Sequence, residues 1–324
     1  MTTAEILSEF PKLRALVVGD VCLDRWCRYD PALAEPSRET NLPRVAVIRT
    51  ETTPGAAGTI ASNLRALGVG TTSVLGVVGD DGFGFELERA LARTGIEGDL
   101  LVRAAGVPTF TYTKLIRDTN GVEDLPRVDF VSVAPLAAGI EAQVIANFRA
   151  HAADFDVILI SDQAETETGG VVTAALREEI AAFALANPKK IIWVDSRLRA
   201  EHFRHVIVKP NEAEAGAASE RICGRIDYAA LRSHTAAPLL IVTQGDRGVV
   251  LIDKDGETRV PAATSKPPVD ICGAGDSFSA GASLALRVTG SPASAAAFGN
   301  RVASITIMKP GTGTASPDEI LAAE

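Results

Sequence analysis

Five short apolar runs constrain this chain more than any other feature, because each ends in a polar or glycine-containing turn and stretches of helical period separate them. Leu16-Val17-Val18 runs into Gly19-Asp20, Val157 to Ile160 into Ser161-Asp162, and Ile191 to Val194 into Asp195-Ser196. Val206 to Val208 runs into Lys209-Pro210-Asn211, and Leu239 to Val242 into Thr243-Gln244-Gly245. Apolar runs without alternation suit strands covered on both faces, as in a parallel sheet. Between them, Val172, Leu176, Ile180 and Phe183 recur at helical spacing, as do Ile60, Leu64 and Leu67, and Phe83, Leu87 and Leu91. The alternation predicts an α/β fold, a doubly wound and mostly parallel sheet flanked by helices. Ligands in such sheets bind beyond the carboxyl ends of the strands. The polar residues that close the runs are therefore candidate site residues as a group.

Two regions break the alternation. Residues 24–50 are rich in proline and charge, and residues 107–133 alternate in the β manner around Asn120-Gly121, a strong hairpin signal. Both read as a small β lid over the site. With no internal repeat or low-complexity tract, residues 1–324 read as a single domain.

A formal net charge of -9 repels phosphate backbones and argues against a nucleic-acid partner. It leaves ATP open, since local amides and a metal can hold a triphosphate. The N-terminus lacks a basic segment followed by an apolar one, and no run approaches the roughly 18 apolar residues that span a bilayer. The expectation is a cytoplasmic protein with no membrane partner. Cys22, Cys27, Cys223 and Cys272 fit no zinc spacing and read as reduced thiols. Trp26 and Trp193 read as packing residues.

The chemistry concentrates in Asp270-Ile271-Cys272-Gly273-Ala274-Gly275-Asp276-Ser277-Phe278. Gly273-Ala274-Gly275 can turn tightly and present backbone amides, and the residues after it read as a helix. The N-terminus of that helix would attract an anion, with Asp276 in its first turn. This suits phosphoryl transfer: amides stabilise charge on the moving group, and the carboxylate takes the proton of an attacking hydroxyl. The same residues also suit a plain helix start with a favourable acid in its first turn.

DICGAGDSF resembles the ribokinase-like (PfkB) signature Asp-Thr-x-Gly-Ala-Gly-Asp-[Ser/Thr]-Phe, and the resemblance covers nearly the whole chain in order. Gly19-Asp20 with Leu23-Asp24-Arg25 looks like the family's opening, and Pro54-Gly55-Ala56-Ala57-Gly58 occupies the place of its glycine-rich substrate motif. Gly79-Asp80-Asp81 through Gly84, Asn211-Glu212-Ala213-Glu214 and Thr243-Gln244-Gly245-Asp246-Arg247-Gly248 are similar to later family blocks. VVGDVCLDRW, LPRVDF and GTGTASPDE are most similar to heptose-7-phosphate kinase-like members.

The resemblance implies an ATP-dependent kinase acting on a hydroxyl of a sugar or sugar phosphate. Asp276 would be the base, and Gly273, Ala274 and Gly275 the anion hole. Lys209, Thr243, Gly245, Gly248 and Asn300 would contact the nucleotide. Asn211 and Glu214 would organise Mg²⁺ through waters, or form a helix cap, or both. Asp20, Asp24, Gly55, Gly58, Thr59, Asn63 and Arg127 would serve the acceptor, although Arg127 could simply pair with Asp129. Asp270 with Gly311, Gly313 and Ser316 resembles a K⁺ site, or a carboxylate bonded to loop amides. Three departures stand out. Ala56 and Thr59 replace a glycine and the asparagine that contacts sugar hydroxyls in the family. Ile271-Cys272 replaces Thr-x, which weakens the case for a monovalent cation. The turn Ser161-Asp162-Gln163-Ala164-Glu165 lacks the Tyr and Lys usual in heptose kinases, so the expected acceptor is not heptose. A nucleoside kinase, or a non-catalytic sugar- or nucleotide-binding protein on the same fold, remains open. A dinucleotide oxidoreductase would need Gly-x-Gly-x-x-Gly where Gly19-Asp20-Val21-Cys22 stands. A homodimer through the lid is the expected assembly if the lid exposes an apolar edge.

Overall fold

The computed structural model describes residues 1–263 and 266–323. In chain order the strands are Arg14–Gly19 (β1), Val21–Tyr29 (β2), Val47–Ala56 (β3), Thr71–Leu75 (β4), Val77–Gly79 (β5), Val102–Ala104 (β6) and Thr111–Arg117 (β7). They continue with Val128–Phe130 (β8), Val157–Asp162 (β9), Ile191–Ser196 (β10), Ile207–Val208 (β11), Leu240–Thr243 (β12), Val249–Asp253 (β13) and Gly256–Val260 (β14). The helices are Thr3–Glu9 (α1), Ala57–Ala66 (α2), Gly82–Arg93 (α3), Ala138–His151 (α4) and Ala174–Ala186 (α5). After them come Glu212–Cys223 (α6), Tyr228–Thr235 (α7), Ala274–Thr289 (α8), Pro292–Thr306 (α9) and Pro317–Ala322 (α10).

Among the described residues the main sheet has the order β14-β13-β12-β11-β10-β9-β1-β4. From β4 to β12 the neighbours are parallel, and only β13 and β14 run antiparallel. The five apolar runs form the adjacent strands β1, β9, β10, β11 and β12. Their continuous hydrophobicity has a direct cause. Val17, Leu159 and Trp193 join the core on one face, while Leu16, Val18, Ile158 and Ile160 join the core on the other. The first core includes residues of α2, α8 and α9, and the second residues of α4, α5, α6 and α7. The α8–α9 contact is close because Gly281 and Gly299 face it. A Cβ on Gly281 would stand 2.7 Å from Val302 Cγ2, and one on Gly299 2.8 Å from Ala282 Cβ. The antiparallel edge was not legible in the apolar runs. It arises where the turn after β12 folds β13 straight back, with Gln244 N–H donating to Gly248 O at 2.8 Å.

The lid is a second sheet of order β3-β2-β7-β8. It begins earlier and ends later than the proline- and charge-rich segment suggested: β2 starts at Val21, one residue past Asp20, and β3 runs to Ala56. The predicted hairpin is present, with Thr111 opposite Phe130 and Gly121 at φ +70° in the turn. Asp81 ties the lid to the body. It caps α3 through Gly84 N–H at 2.7 Å and also accepts from Thr109 N–H at 2.9 Å, two residues before β7. Trp26 of β2 rests over Gly311, where a Cβ would lie 3.3 Å from the indole. Among the described residues no helix is long and apolar enough to cross a membrane.

Candidate active site

Beyond the carboxyl ends of β9 and β10, under the lid, lies a cavity of about 170 Å³. The lid gives it Asp24, Arg25, Trp26, Tyr112, Lys114 and Arg127. The start of α2 gives Ala56 and Thr59, the turns after β9 and β10 give Gln163 and Arg197, and the start of α8 gives Cys272, Gly273 and Asp276. Thr312 closes it from the loop before α10. The register of the lid explains the grouping: β2 and β7 pair in parallel with Asp24 beside Tyr112 and Trp26 beside Lys114. Residues two apart share a face, so one face of two strands aims four side chains at the cavity.

Gly273 is the N-cap of α8 at φ +75°, in the left-handed region where glycine costs nothing. The Ala274 amide donates to Ile271 O at 3.1 Å, so this turn uses one of the three expected donors internally. Gly275 and Asp276 lie in the first turn, where the helical ladder leaves N–H groups without a partner. Asp276, half-buried at the cavity floor, has its pKa pushed up to about 8. Desolvation is the largest cause, the Asp195 charge adds to it, and Lys209 opposes both. Asp24 is pushed up to about 6, again by burial, against the pull of Lys114 and Arg127.

Lys209 was expected to meet nucleotide phosphates as a point charge. Its side chain is 3% exposed, and its ammonium lies 2.5 Å from Asp195 Oδ2. It sits under the α8 turn, 3.2 Å from where a Gly275 Cβ would be. Asn211 and Glu214 form a reciprocal cap on α6: the Asn211 side chain accepts from Glu214 N–H at 2.9 Å, and Glu214 Oε2 from Asn211 N–H at 2.7 Å. Burial and the Asp195 charge raise the Glu214 pKa, with Lys209 opposing. Thr243 bridges to Asn211 from β12, so both stand at the same end of the sheet. Gly245 and Gly248 hold the next turn at φ +60° and +85°. Asn300 uses its amide on Pro261 O at 2.7 Å.

Four acceptor candidates do not reach the cavity. Asp20 is 5% exposed, and its two oxygens accept from Val171 and Gln163 N–H, each at 2.8 Å; it braces the turn after β9. Gly55 and Gly58 admit protein rather than ligand. A Cβ on Gly55 would stand 2.5 Å from Asp24 Oδ1, and one on Gly58 2.4 Å from Pro54 Cβ. Asn63 is fully buried and donates to Thr59 O at 3.0 Å. Asp24, Thr59 and Arg127 do line the cavity, and Arg127 also pairs with Asp129 at 2.6 Å. At the resembled K⁺ site, Asp270 accepts from Cys272 N–H at 2.9 Å and Gly311 N–H at 3.0 Å. Gly313 N–H donates to Gly311 O, and Ser316 caps α10. These bonds hold the loop itself together.

Sequence reasoning missed Arg25, Tyr112, Lys114, Gln163 and Arg197 as cavity residues. The signal for Tyr112 and Lys114 was present in the period-two pattern around them. Arg197 and Gln163 follow strand ends one residue beyond the polar pairs singled out.

A helix N-terminus with a carboxylate of raised proton affinity beside it, beneath a small sheet, is an arrangement that suits a phosphotransferase with an alcohol acceptor. The pfkB family carbohydrate kinase profile matches residues 14–319, and the chain belongs to that family. It is 32% identical over 329 residues to the bifunctional protein HldE of Caulobacter sp. (strain K31), covering 99% of this chain and 64% of that protein. It is 31% identical over 325 residues to HldE of Trichlorobacter lovleyi, covering 96% and 62%. The chain thus spans less than two thirds of the length of these curated relatives. Among solved structures, ribokinase from Thermotoga maritima superposes with a TM-score of 0.69 at 21% identity, covering 96% of this chain and 99% of that one. A ligand-free nucleoside kinase from Burkholderia thailandensis gives 0.70 at 17%, covering 95% and 99%. At these identities the two structures bear on the fold alone.

Proposed function

We propose that this chain transfers the γ-phosphoryl group of ATP to a hydroxyl of a phosphorylated sugar, with Asp276 as general base. The carrying observation is the Asp276 carboxylate, raised to about 8, at the floor of a lidded cavity in the first turn of α8. The acceptor hydroxyl gives its proton to Asp276 as its oxygen bonds to the γ-phosphorus, and ADP leaves with the electrons of the broken P–O bond. The amides of Gly275 and Asp276 meet the equatorial oxygens of the moving group. Asp24 accepts from a second acceptor hydroxyl, and Trp26 with the lid strands keeps water out.

Mg²⁺ fits the donor set. Glu214 retains one oxygen outside its cap, and among the described residues no cluster of three or more acidic, histidine or cysteine side chains forms a direct cage. That suits an ion that keeps its waters and is held by one or two protein groups plus phosphates. When bound, it neutralises charge on the triphosphate.

The walls of the cavity bear on the acceptor's charge. Arg25, Lys114, Arg127 and Arg197 line the cavity against two carboxylates, in a chain of net charge -9. Each of these cations is paired with an acid that does not line the cavity, and a sugar phosphate can compete for them where a neutral nucleoside cannot. The similarity of VVGDVCLDRW, LPRVDF and GTGTASPDE to heptose-7-phosphate kinase-like members supports the same class. The test is ADP release over a panel of sugars and sugar phosphates. Asp276→Asn should keep its thermal shift with an ATP analogue and lose turnover by about 10²–10⁴-fold, the usual worth of a general base. Near-wild-type turnover in that variant would remove Asp276 from the mechanism.

A further inference from the structure

All four cavity cations are already paired with acids that do not line the cavity, but the pairs are not alike. Arg25 faces Glu86 at 3.5 Å, Lys114 faces Glu123 at 3.4 Å, and Arg127 is held by its near neighbour Asp129. Arg197 is different, because its partner Glu165 also engages the lid. Glu165 Oε1 accepts from Arg197 Nη1 at 3.1 Å and from the Tyr112 hydroxyl at 3.4 Å. Arg127 stacks over Tyr112, 4.8 Å from its ring centroid; burial works against its charge, and Asp129 and Glu165 outweigh it. One guanidinium group from the body and a phenol from the lid therefore meet on the Glu165 carboxylate, with Arg127 stacked over that phenol. Glu165 and Arg197 are 38% and 44% exposed, so the pair contributes little to stability and can be exchanged at small cost. Arg197 also reaches inward, where its charge acts on Asp276.

We propose that Glu165 is a specificity-determining residue, a built-in stand-in that occupies the place of the acceptor's phosphate among Arg197, Tyr112 and Arg127 and is exchanged for it on binding. This rests on the sugar-phosphate reading of the cavity. A carboxylate and a phosphate monoester present the same kind of anionic oxygens to a guanidinium fork. While Glu165 holds Arg197 and Tyr112, the rim is neutralised, and a weakly anionic or neutral sugar gains nothing by entering. A phosphate carries more charge and three acceptor oxygens, and displaces it. The cost is a weaker apparent affinity for the proper acceptor, as for any site that must first release an internal occupant.

The experiment titrates inorganic phosphate into the wild-type protein, Glu165→Gln and the double variant Glu165→Gln/Arg197→Gln by calorimetry, without nucleotide. Glu165→Gln should bind phosphate about tenfold more tightly, the scale of one charge-assisted hydrogen bond freed from competition. The double variant should lose that gain. With ATP and a sugar phosphate that the wild type turns over, Glu165→Gln should lower the acceptor KM and leave kcat unchanged. Phosphate binding in Glu165→Gln no tighter than in the wild type overturns the proposal, as does a gain that survives loss of Arg197. If no sugar phosphate is turned over, the kinase reading fails separately, because the phosphate titration still reports on the exchange.

Discussion

Asp276 and Asp24 share one cavity, but their surroundings separate their proton affinities. Asp276 faces desolvation and the Asp195 charge, and its pKa is pushed up to about 8, whereas Lys114 and Arg127 limit Asp24 to about 6. A base must be ionised to work, so acceptor kcat/KM should rise with pH through a limb near 8 and level off above it. Asp24→Asn should keep that limb and move it slightly lower, because the Asp24 charge helps to hold the Asp276 pKa up. A flat profile between about pH 6 and 9 would show that no group with this proton affinity controls the reaction. Ala56 is the other residue whose surroundings dictate its state. It lines the cavity at φ +50°, ψ -114°, where a side chain carries strain of about 1–3 kcal/mol. Its amide neighbour Ala57 donates to Asp20 O at 3.0 Å, which holds this corner between lid and α2 in place.

At the scale of elements, the β2–β3 pairing sets the position of the acceptor carboxylate. Cys22 pairs with Gly55 and Asp24 with Thr53, and the Asp24 side chain leans over Gly55. A Cβ there would stand 2.5–2.8 Å from all three carboxyl atoms. Gly55→Ala should therefore turn the carboxylate away and leave the strand pairing intact, since only the end of a side chain must move. The expected result is an acceptor KM raised roughly ten- to hundredfold, the cost of misplacing a positioning group, with the ATP KM and melting temperature near wild type. An unchanged acceptor KM would mean that Asp24 does not position the acceptor. At the opposite wall, β10 and β11 deliver Asp195 and Lys209 as a buried pair beneath α8. Truncating either partner would strand the other charge, so this pair is part of the platform that the helix rests on.

For the whole molecule, four carboxyl groups of raised pKa, Glu214 among them, make stability depend on pH. Asp20 and Asp24 are raised to about 6 and Asp276 to about 8, each from an ordinary 3.8. Each holds its proton after the unfolded chain has released it, so the native state binds more protons across that window. Stability is then fully present below 3.8 and falls as pH rises toward 8. The melting temperature of the ligand-free protein should drop between about pH 5 and 8, and drop less steeply for Asp276→Asn. Equal slopes in the two proteins would place the raised group elsewhere. The molecule thus holds two of these costly acids, Asp24 and Asp276, in its cleft, which fits a site built for reaction rather than for stability.

The apolar runs and helical periods specified the parallel sheet because burial on both faces leaves no other pattern, and the glycine turn before Asp276 was legible because a left-handed N-cap demands glycine. The lid was readable from the Asn120-Gly121 turn and the alternation around it. The chain alone could not say which polar residue at a strand end faces the ligand. Asp20 and Asp24 look equivalent in sequence, yet two backbone amides donated from 143 and 151 residues away consume Asp20, while the pleat of β2 turns Asp24 into the cavity. Arg197, Glu165 and Tyr112 meet only because the body and the lid close on each other. Local pattern fixes the elements, since periodicity and backbone preference act within a few residues. The partners that finish a site lie far apart in the chain, and only tertiary packing brings them together.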